Sequence, residues 1–260
     1  MRFILSFFLT FKAFGAITCT HPQVCNLFTG EKNFPLRTNV DPHHFEPTLK
    51  EIKTLMKADI LVLAPLEISP WAQKIAKKRI GKTYTLKTPP KFFTKYQTKN
   101  SEALAHFWIY PDILCHQSKE LMGTGLDLAE LNCSVKKLQE KTSKLTKLIG
   151  GKKVIITHDA LGPLFSFYGA QVLALVSAEH GYRPSIITYK KLTDWQKSKE
   201  PIIWILEKDI KTNKRILQKI ASSDIKIKVD ITGNIGQDPF FIWDALIKEL
   251  ESNLYAKPNP

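Results

Sequence analysis

Hydrophobic positions along the chain fall into two spacings that alternate. Ala16–Thr20 is a short apolar run that predicts a strand, and Ile60–Leu63 (ILVL) predicts a buried one. Between them, Thr48–Lys57 carries Leu49, Ile52, Leu55 and Met56 at helical spacing, with Pro47 just ahead of the start. Ser69–Ile80 predicts a second helix with Pro70 in its first turn, and Thr83–Leu86 a third strand. Lys87–Ala105 is polar, basic and aperiodic, which predicts a loop. Asp112–Met122 and Glu130–Leu148 predict helices, the second long and amphipathic through Leu131, Val135, Leu138, Leu145 and Leu148.

Gly150-Gly151 breaks that pattern, and a second series begins. Val154–Thr157, Val172–Val176, Ile202–Leu206 and Ile225–Val229 predict strands. Gly162–Tyr168, Ile210–Ala221 and Pro239–Leu254 predict the helices between and after them. Strands separated by helices imply βα units and parallel sheets. The break beside the long helix implies two α/β lobes, one on each side. No internal repeat is visible in the residues themselves.

The 260 residues suffice for one large domain or two smaller ones. With 43% hydrophobic and 24% charged residues, the composition is that of a folded globular chain and excludes a disordered or coiled-coil protein. No internal apolar run approaches the roughly 20 residues of a membrane span. The net charge of +14 raises nucleic acid as a partner. The lysines are scattered, however, and no aromatic ladder follows them, so a solvated basic surface and no nucleic-acid partner is the expectation.

Met1–Gly15 (MRFILSFFLTFKAFG) has a positive Arg2, an apolar stretch Ile4–Phe11 and small residues at Ala13 and Gly15. That order predicts an export signal over residues 1–15; a buried first strand or helix is the alternative. Export would place Cys19, Cys25, Cys115 and Cys133 in an oxidising compartment. Four cysteines allow three pairings, of which Cys19–Cys25 with Cys115–Cys133 is the local choice. Four buried free thiols remain the other reading.

Several histidines stand where predicted elements end. His43 lies in Asp41-Pro42-His43-His44-Phe45-Glu46-Pro47, ahead of a helix, and His106 lies in Ala105-His106-Phe107-Trp108. His158 directly follows the strand Val154–Thr157, and Asp230 directly follows Ile225–Val229. Open α/β sheets bind ligands at the carboxyl ends of their strands, so His158 and Asp230 share one address. Imidazoles with one carboxylate suit Zn²⁺ or a related divalent ion. Glu46 and Asp159 are placed to orient neighbouring ligands. His21, His116 and His180 have no such context and are expected to be structural or exposed, and the five tryptophans to pack.

Asp41–Pro47, then Ala58-Asp59, Glu67 and Trp71, resemble the zinc/manganese solute-binding proteins of ABC importers. His106-Phe107-Trp108-Ile109-Tyr110-Pro111 is similar to that family's second motif. Thr157-His158-Asp159-Ala160 with Phe167-Tyr168-Gly169 is similar to its third, and Pro184-Ser185, Glu207 and Asp230 follow in order. The resemblance spans nearly all of residues 16–260. It implies two α/β lobes with parallel sheets, joined by a long rigid helix, with the metal in the inter-lobe cleft. It implies the bounds 16–129 for the first lobe, 130–149 for the helix and 150–260 for the second. It implies the ligands His43, His106, His158 and Asp230.

It also implies a periplasmic monomer with no enzymatic activity. Such a protein captures Zn²⁺ (or Mn²⁺ or Fe²⁺) as transported cargo and hands it to an inner-membrane permease with its cytoplasmic ATPase. Histidine at position 158 is typical of zinc-type members. There are departures. Tyr110 replaces the family's usual aspartate, Ala64-Pro65 replace Asn-Gly, and Lys87–Ala105 lacks the His/Asp/Glu-rich loop of many zinc-type members. The competing expectations are a zinc-dependent hydrolase using the same histidines with Glu46 or Asp159 as base, and a basic nucleic-acid binder.

Overall fold

The computed structural model describes residues 16–36, 45–174, 186–198, 200–208 and 214–255. The first series runs β1 (Ile17–Cys19), α1 (Pro22–Cys25), β2 (Lys32–Asn33), α2 (Leu49–Lys57), β3 (Ile60–Leu63), α3 (Ala72–Lys78) and β4 (Lys82–Thr85). It continues through α4 (Pro90–Lys95), α5 (Ser101–Ala105), a 3-10 turn at Phe107–Ile109 and α6 (Pro111–Met122). Helix α7 (Val135–Ile149) leads into β5 (Lys153–Ile156), a 3-10 turn at Asp159–Leu161, α8 (Gly162–Phe167) and β6 (Gln171–Ala174). Then come α9 (Ile186–Lys197), β7 (Ile203–Glu207), α10 (Lys214–Leu217), β8 (Ile225–Val229) and α11 (Phe241–Leu254). Among the described residues, no helix is long and apolar enough to cross a membrane.

The strands form two four-stranded sheets, ordered β2-β1-β3-β4 and β6-β5-β7-β8, and every pairing is parallel. The molecule is thus the two-lobe α/β arrangement that the alternating pattern predicts. Both sheets have the same order, and in both the first strand ends in the same pair of residues. Thr20-His21 follows β1 and Thr157-His158 follows β5. Thr20 Oγ1 accepts from Ala64 N at 2.9 Å, and Thr157 Oγ1 accepts from Glu207 N at 3.2 Å, each tying the first strand to its neighbour at the carboxyl edge. In both cases the histidine Nδ1 accepts the backbone N–H two residues on and caps the next turn. The lobes are therefore copies in structure though not in sequence.

Continuous apolar runs suit strands covered on both faces. Along β3 and β7 the alternation of side chains divides each run between two cores. Ile60 and Val62, with Ile203 and Ile205, face a large cluster that also takes in Trp108, Leu145, Leu148 and Trp243. Leu61 and Leu63 face a cluster under α2 and α3, while Trp204 and Leu206 face one under α9 and α10. The inward cluster is shared by both lobes, so burial of one lobe's inner face depends on the other. α11 packs on α7 and on the turn Phe107–Ile109, reaching from the second lobe into the first, and Lys141 on α7 pairs with Asp244 on α11.

Local signals explain most element starts. α2 begins with a capping box between Thr48 and Glu51, and α6 begins at Pro111, where the missing N–H costs nothing. Lys87–Ala105 is not the single loop expected. It holds α4, opened by Pro90, and α5, capped by the Asn100 side chain. Helices of five or six residues are too short to show a 3.6-residue period. The long helix starts at Val135 rather than Glu130, after its cap Ser134. The helix expected over Ile210–Ala221 is a single turn in its described part, and residues 209–213 lie outside the description. Disulfides join Cys19 to Cys25 and Cys115 to Cys133, the local pairing of the three possible.

Candidate metal centre

Two of the four expected ligands meet where the lobes face each other. His106 closes α5 and is buried; its Nδ1 donates to the Glu102 carbonyl at 2.9 Å. That bond fixes the tautomer with the lone pair on Nε2, the arrangement a metal-ligating histidine needs. His158 follows β5 and is buried as well. The two rings stand 4.9 Å apart between centroids, at 82°. His158 Nδ1 accepts from Ala160 N at 3.0 Å, so its neutral ring carries the proton on Nε2. Glu207 Oε2 lies 3.9 Å from that Nε2.

Asp230 occupies the same edge. Glu207 is in register with Val229, so Asp230 is one step beyond the end of the glutamate's neighbouring strand. Its Oδ1 accepts from Thr232 N at 2.9 Å and Gly233 N at 2.8 Å, an Asx-type turn that holds the carboxylate against its own loop. His43, the remaining expected ligand, lies outside the described residues, as do His44, His180, Pro184 and Ser185. Among the described residues, no group of three or more His, Cys, Asp and Glu is arranged to hold a metal ion. The two histidines are together, and Asp230 shares their edge without joining them in such a group.

Side chains of the first lobe grip both of these loops of the second. Tyr110 OH donates to the Ala160 carbonyl at 2.6 Å, and Asn100 Nδ2 donates to Asp159 Oδ2 at 3.2 Å. Trp108 Nε1 donates to the Ile231 carbonyl at 2.8 Å, beside Asp230. Burial, with Asp112 and Asp159 nearby, pushes the Tyr110 hydroxyl well above its usual range, so it stays a donor. Tyr110 thus holds the His158 turn from the opposite lobe without a carboxylate. This is a role that the presence of tyrosine in place of the family's aspartate did not reveal.

The neighbours expected to be inert divide. His21 is buried and stacks on Trp108, with centroids 4.0 Å apart, and Trp108 in turn meets the edge of His106 at 5.5 Å. His116 meets Phe92 edge-on, and Trp71 packs on Phe45, as structural residues do. Glu46 is exposed. Asn100, Gln23 and Asn26 were not legible as site residues, because each acts across the lobe boundary on a segment distant in sequence. The one available signal for Asn100 is its place as a helix cap just upstream of His106.

Two four-stranded parallel sheets, each with a histidine just past the carboxyl end of its first strand, define a two-lobe α/β architecture. No protein-family model matches the chain, and no curated protein matches it. Solved structures do match. ZnuA aligns over 92% of this chain and 98% of its own, at 19% identity and a TM-score of 0.67. The periplasmic zinc binding protein TroA from Treponema pallidum aligns over 92% and 99%, at 15% identity and a TM-score of 0.67. FpvC from Pseudomonas aeruginosa, solved with Mn²⁺, aligns over 92% and 95%, at 16% identity and 0.57. The likeness covers whole chains and is one of fold, and it agrees with the family resemblance of the sequence motifs.

Proposed function

We propose that this chain is a metal-capturing solute-binding protein of an ABC importer, with Zn²⁺ as its cargo. The observation that carries the reading is the apposition of His106 and His158, buried, 4.9 Å apart and contributed by opposite lobes. The fold neighbours support it: ZnuA has a zinc-bound form, and FpvC was solved with Ni²⁺ and Mn²⁺. In this reading His43, His106, His158 and Asp230 are the ligands, three nitrogens and one oxygen, a set that suits zinc over harder ions. Mn²⁺ and Fe²⁺ are the alternative cargoes.

Residues 1–15 then act as an export signal, 16–129 and 150–260 as the lobes, and 130–149 as the link between them. The cargo passes to an inner-membrane permease from the periplasm, where two disulfides are stable. The hydrolase reading has less behind it: Asp159 is engaged by Asn100, and Glu46 is exposed. So does the nucleic-acid reading, since lysines of α7 pair with Asp244 and Glu251 of α11.

Metal content and zinc titration of the chain from Ala16, beside a His43→Ala/His158→Ala double variant, test this. One Zn²⁺ per wild-type chain and none in the variant is the expected result. Binding should weaken in acid, because protons compete for the imidazoles. A wild-type chain that takes up no stoichiometric metal overturns the proposal.

A further inference from the structure

Three of the four backbone groups by which the first lobe holds the loop after Asp230 are held by one short piece of chain, Gln23 to Asn26. Helix α1 is only four residues long, and all four are buried. The Cys19–Cys25 disulfide closes the chain around it, and His21 caps its start through Gln23 N at 3.2 Å. From this helix Gln23 Nε2 donates to the Thr232 carbonyl at 3.1 Å. Asn26, the residue that ends it, donates through Nδ2 to the Asn234 carbonyl at 2.9 Å and accepts from Gly236 N at 2.8 Å. Trp108, on which His21 stacks, takes the Ile231 carbonyl.

Four backbone groups from Ile231 to Gly236 are therefore held from the first lobe. The same loop supplies the Thr232 and Gly233 N–H groups that fix Asp230 Oδ1. Gly233 is part of the fit. Its φ is +64°, and a Cβ there would sit 2.1 Å from Gln23 Nε2. A side chain at position 233 would have to displace the Gln23 amide from its bond to Thr232, and the positive φ disfavours one there in any case.

We infer that α1, through Gln23 and Asn26, is the positioning element of the metal site. It sets where the Asp230 carboxylate stands relative to the histidines. The inference rests on the proposed function, because it takes Asp230 as a ligand. Neither Gln23 nor Asn26 touches the carboxylate; they act through the loop backbone. Outer residues of this kind typically change metal affinity about ten- to hundredfold when removed. The disulfide makes the arrangement stiff: α1 is too short to be stable alone, and its last residue is joined covalently to the end of β1.

The experiment uses the oxidised chain from Ala16 as wild type, Gln23→Met, Asn26→Ala and Gly233→Ala. Gln23→Met keeps the side-chain volume while deleting the donor. Gly233→Ala leaves both side chains intact and presses on the same contact from the loop side. Zn²⁺ affinity is read by competition with a chromophoric chelator, coordination geometry by the visible spectrum of the Co²⁺-loaded protein, and folding by thermal unfolding without metal.

The expected result is a loss of about tenfold or more in Zn²⁺ affinity in each variant, with a changed Co²⁺ spectrum. Asn26→Asp, which keeps the acceptor for Gly236 N, should recover part of the loss. Variants with wild-type affinity and spectrum overturn the inference, as does a lowered unfolding temperature with an unchanged Co²⁺ spectrum, the mark of a merely structural role. A wild-type chain that binds neither metal overturns the proposed function, and this inference falls with it.

Discussion

The Nδ1 atoms of His106 and His158 do opposite things. That of His106 donates to the Glu102 carbonyl, whereas that of His158 accepts the Ala160 N–H. The rings face each other at 82°, yet only His106 is set in the tautomer that presents a lone pair at Nε2. For His158 to bind metal through Nε2, its proton must move to Nδ1, and Ala160 must then release that atom. Capture of metal by His158 and capping of the Asp159–Leu161 turn compete.

Zinc binding should therefore be felt at the Ala160 amide. The expected outcome is a shifted amide signal and faster hydrogen exchange at Ala160 when zinc is added, measured by NMR. An Ala160 amide that stays as protected and as placed in the metal-loaded protein would contradict the competition.

Tyr110→Phe removes one hydroxyl and leaves the buried Ala160 carbonyl without its cross-lobe donor. An unsatisfied buried group of this kind costs about 1–3 kcal/mol. Denaturant unfolding should show that loss, and zinc affinity should fall about tenfold, because the turn it held carries His158. Wild-type stability in the variant would show the bond to be idle.

Stability should collapse in alkali. Tyr96, Tyr110 and Tyr168 are all held above the usual tyrosine range, chiefly by burial and next by the charge of Asp112. The unfolded chain releases these protons from about pH 10 while the folded chain retains them. The unfolded state then binds fewer protons, so stability is complete below about pH 10 and is lost as pH rises above it. The phenolate absorbance of these three buried tyrosines should appear together with unfolding, not before it. Tyr110→Phe should soften the decline.

The Cys115–Cys133 bond ties α6 to the segment entering α7 and closes a loop of 18 residues. A loop of that size implies about 3 kcal/mol of stabilisation through the unfolded chain. The Cys115→Ala/Cys133→Ala variant should unfold at correspondingly lower denaturant. An equal midpoint with and without the bond would show that the junction is held by packing alone.

The chain's own periodicity determined the architecture. Runs such as Ile60–Leu63 and Ile203–Leu206 are apolar on both faces and short, which suits strands covered on both sides. The addresses of His158 and Asp230 were legible for the same reason: each follows a strand whose end the hydrophobic pattern marks. The short helices α4 and α5 were not legible, since five or six residues carry caps but no period.

Only the tertiary structure decided what crosses between the lobes. Tyr110 with Ala160, Trp108 with Ile231, and Gln23 with Thr232 join segments that no local spacing relates. Their partners are backbone carbonyls, which every residue possesses and which therefore leave no trace in the identity of the partner. The equivalence of His21 and His158 was hidden in the same way. Each follows a threonine at the end of an apolar run, but what makes them counterparts is the shared sheet order, which backbone hydrogen bonds set.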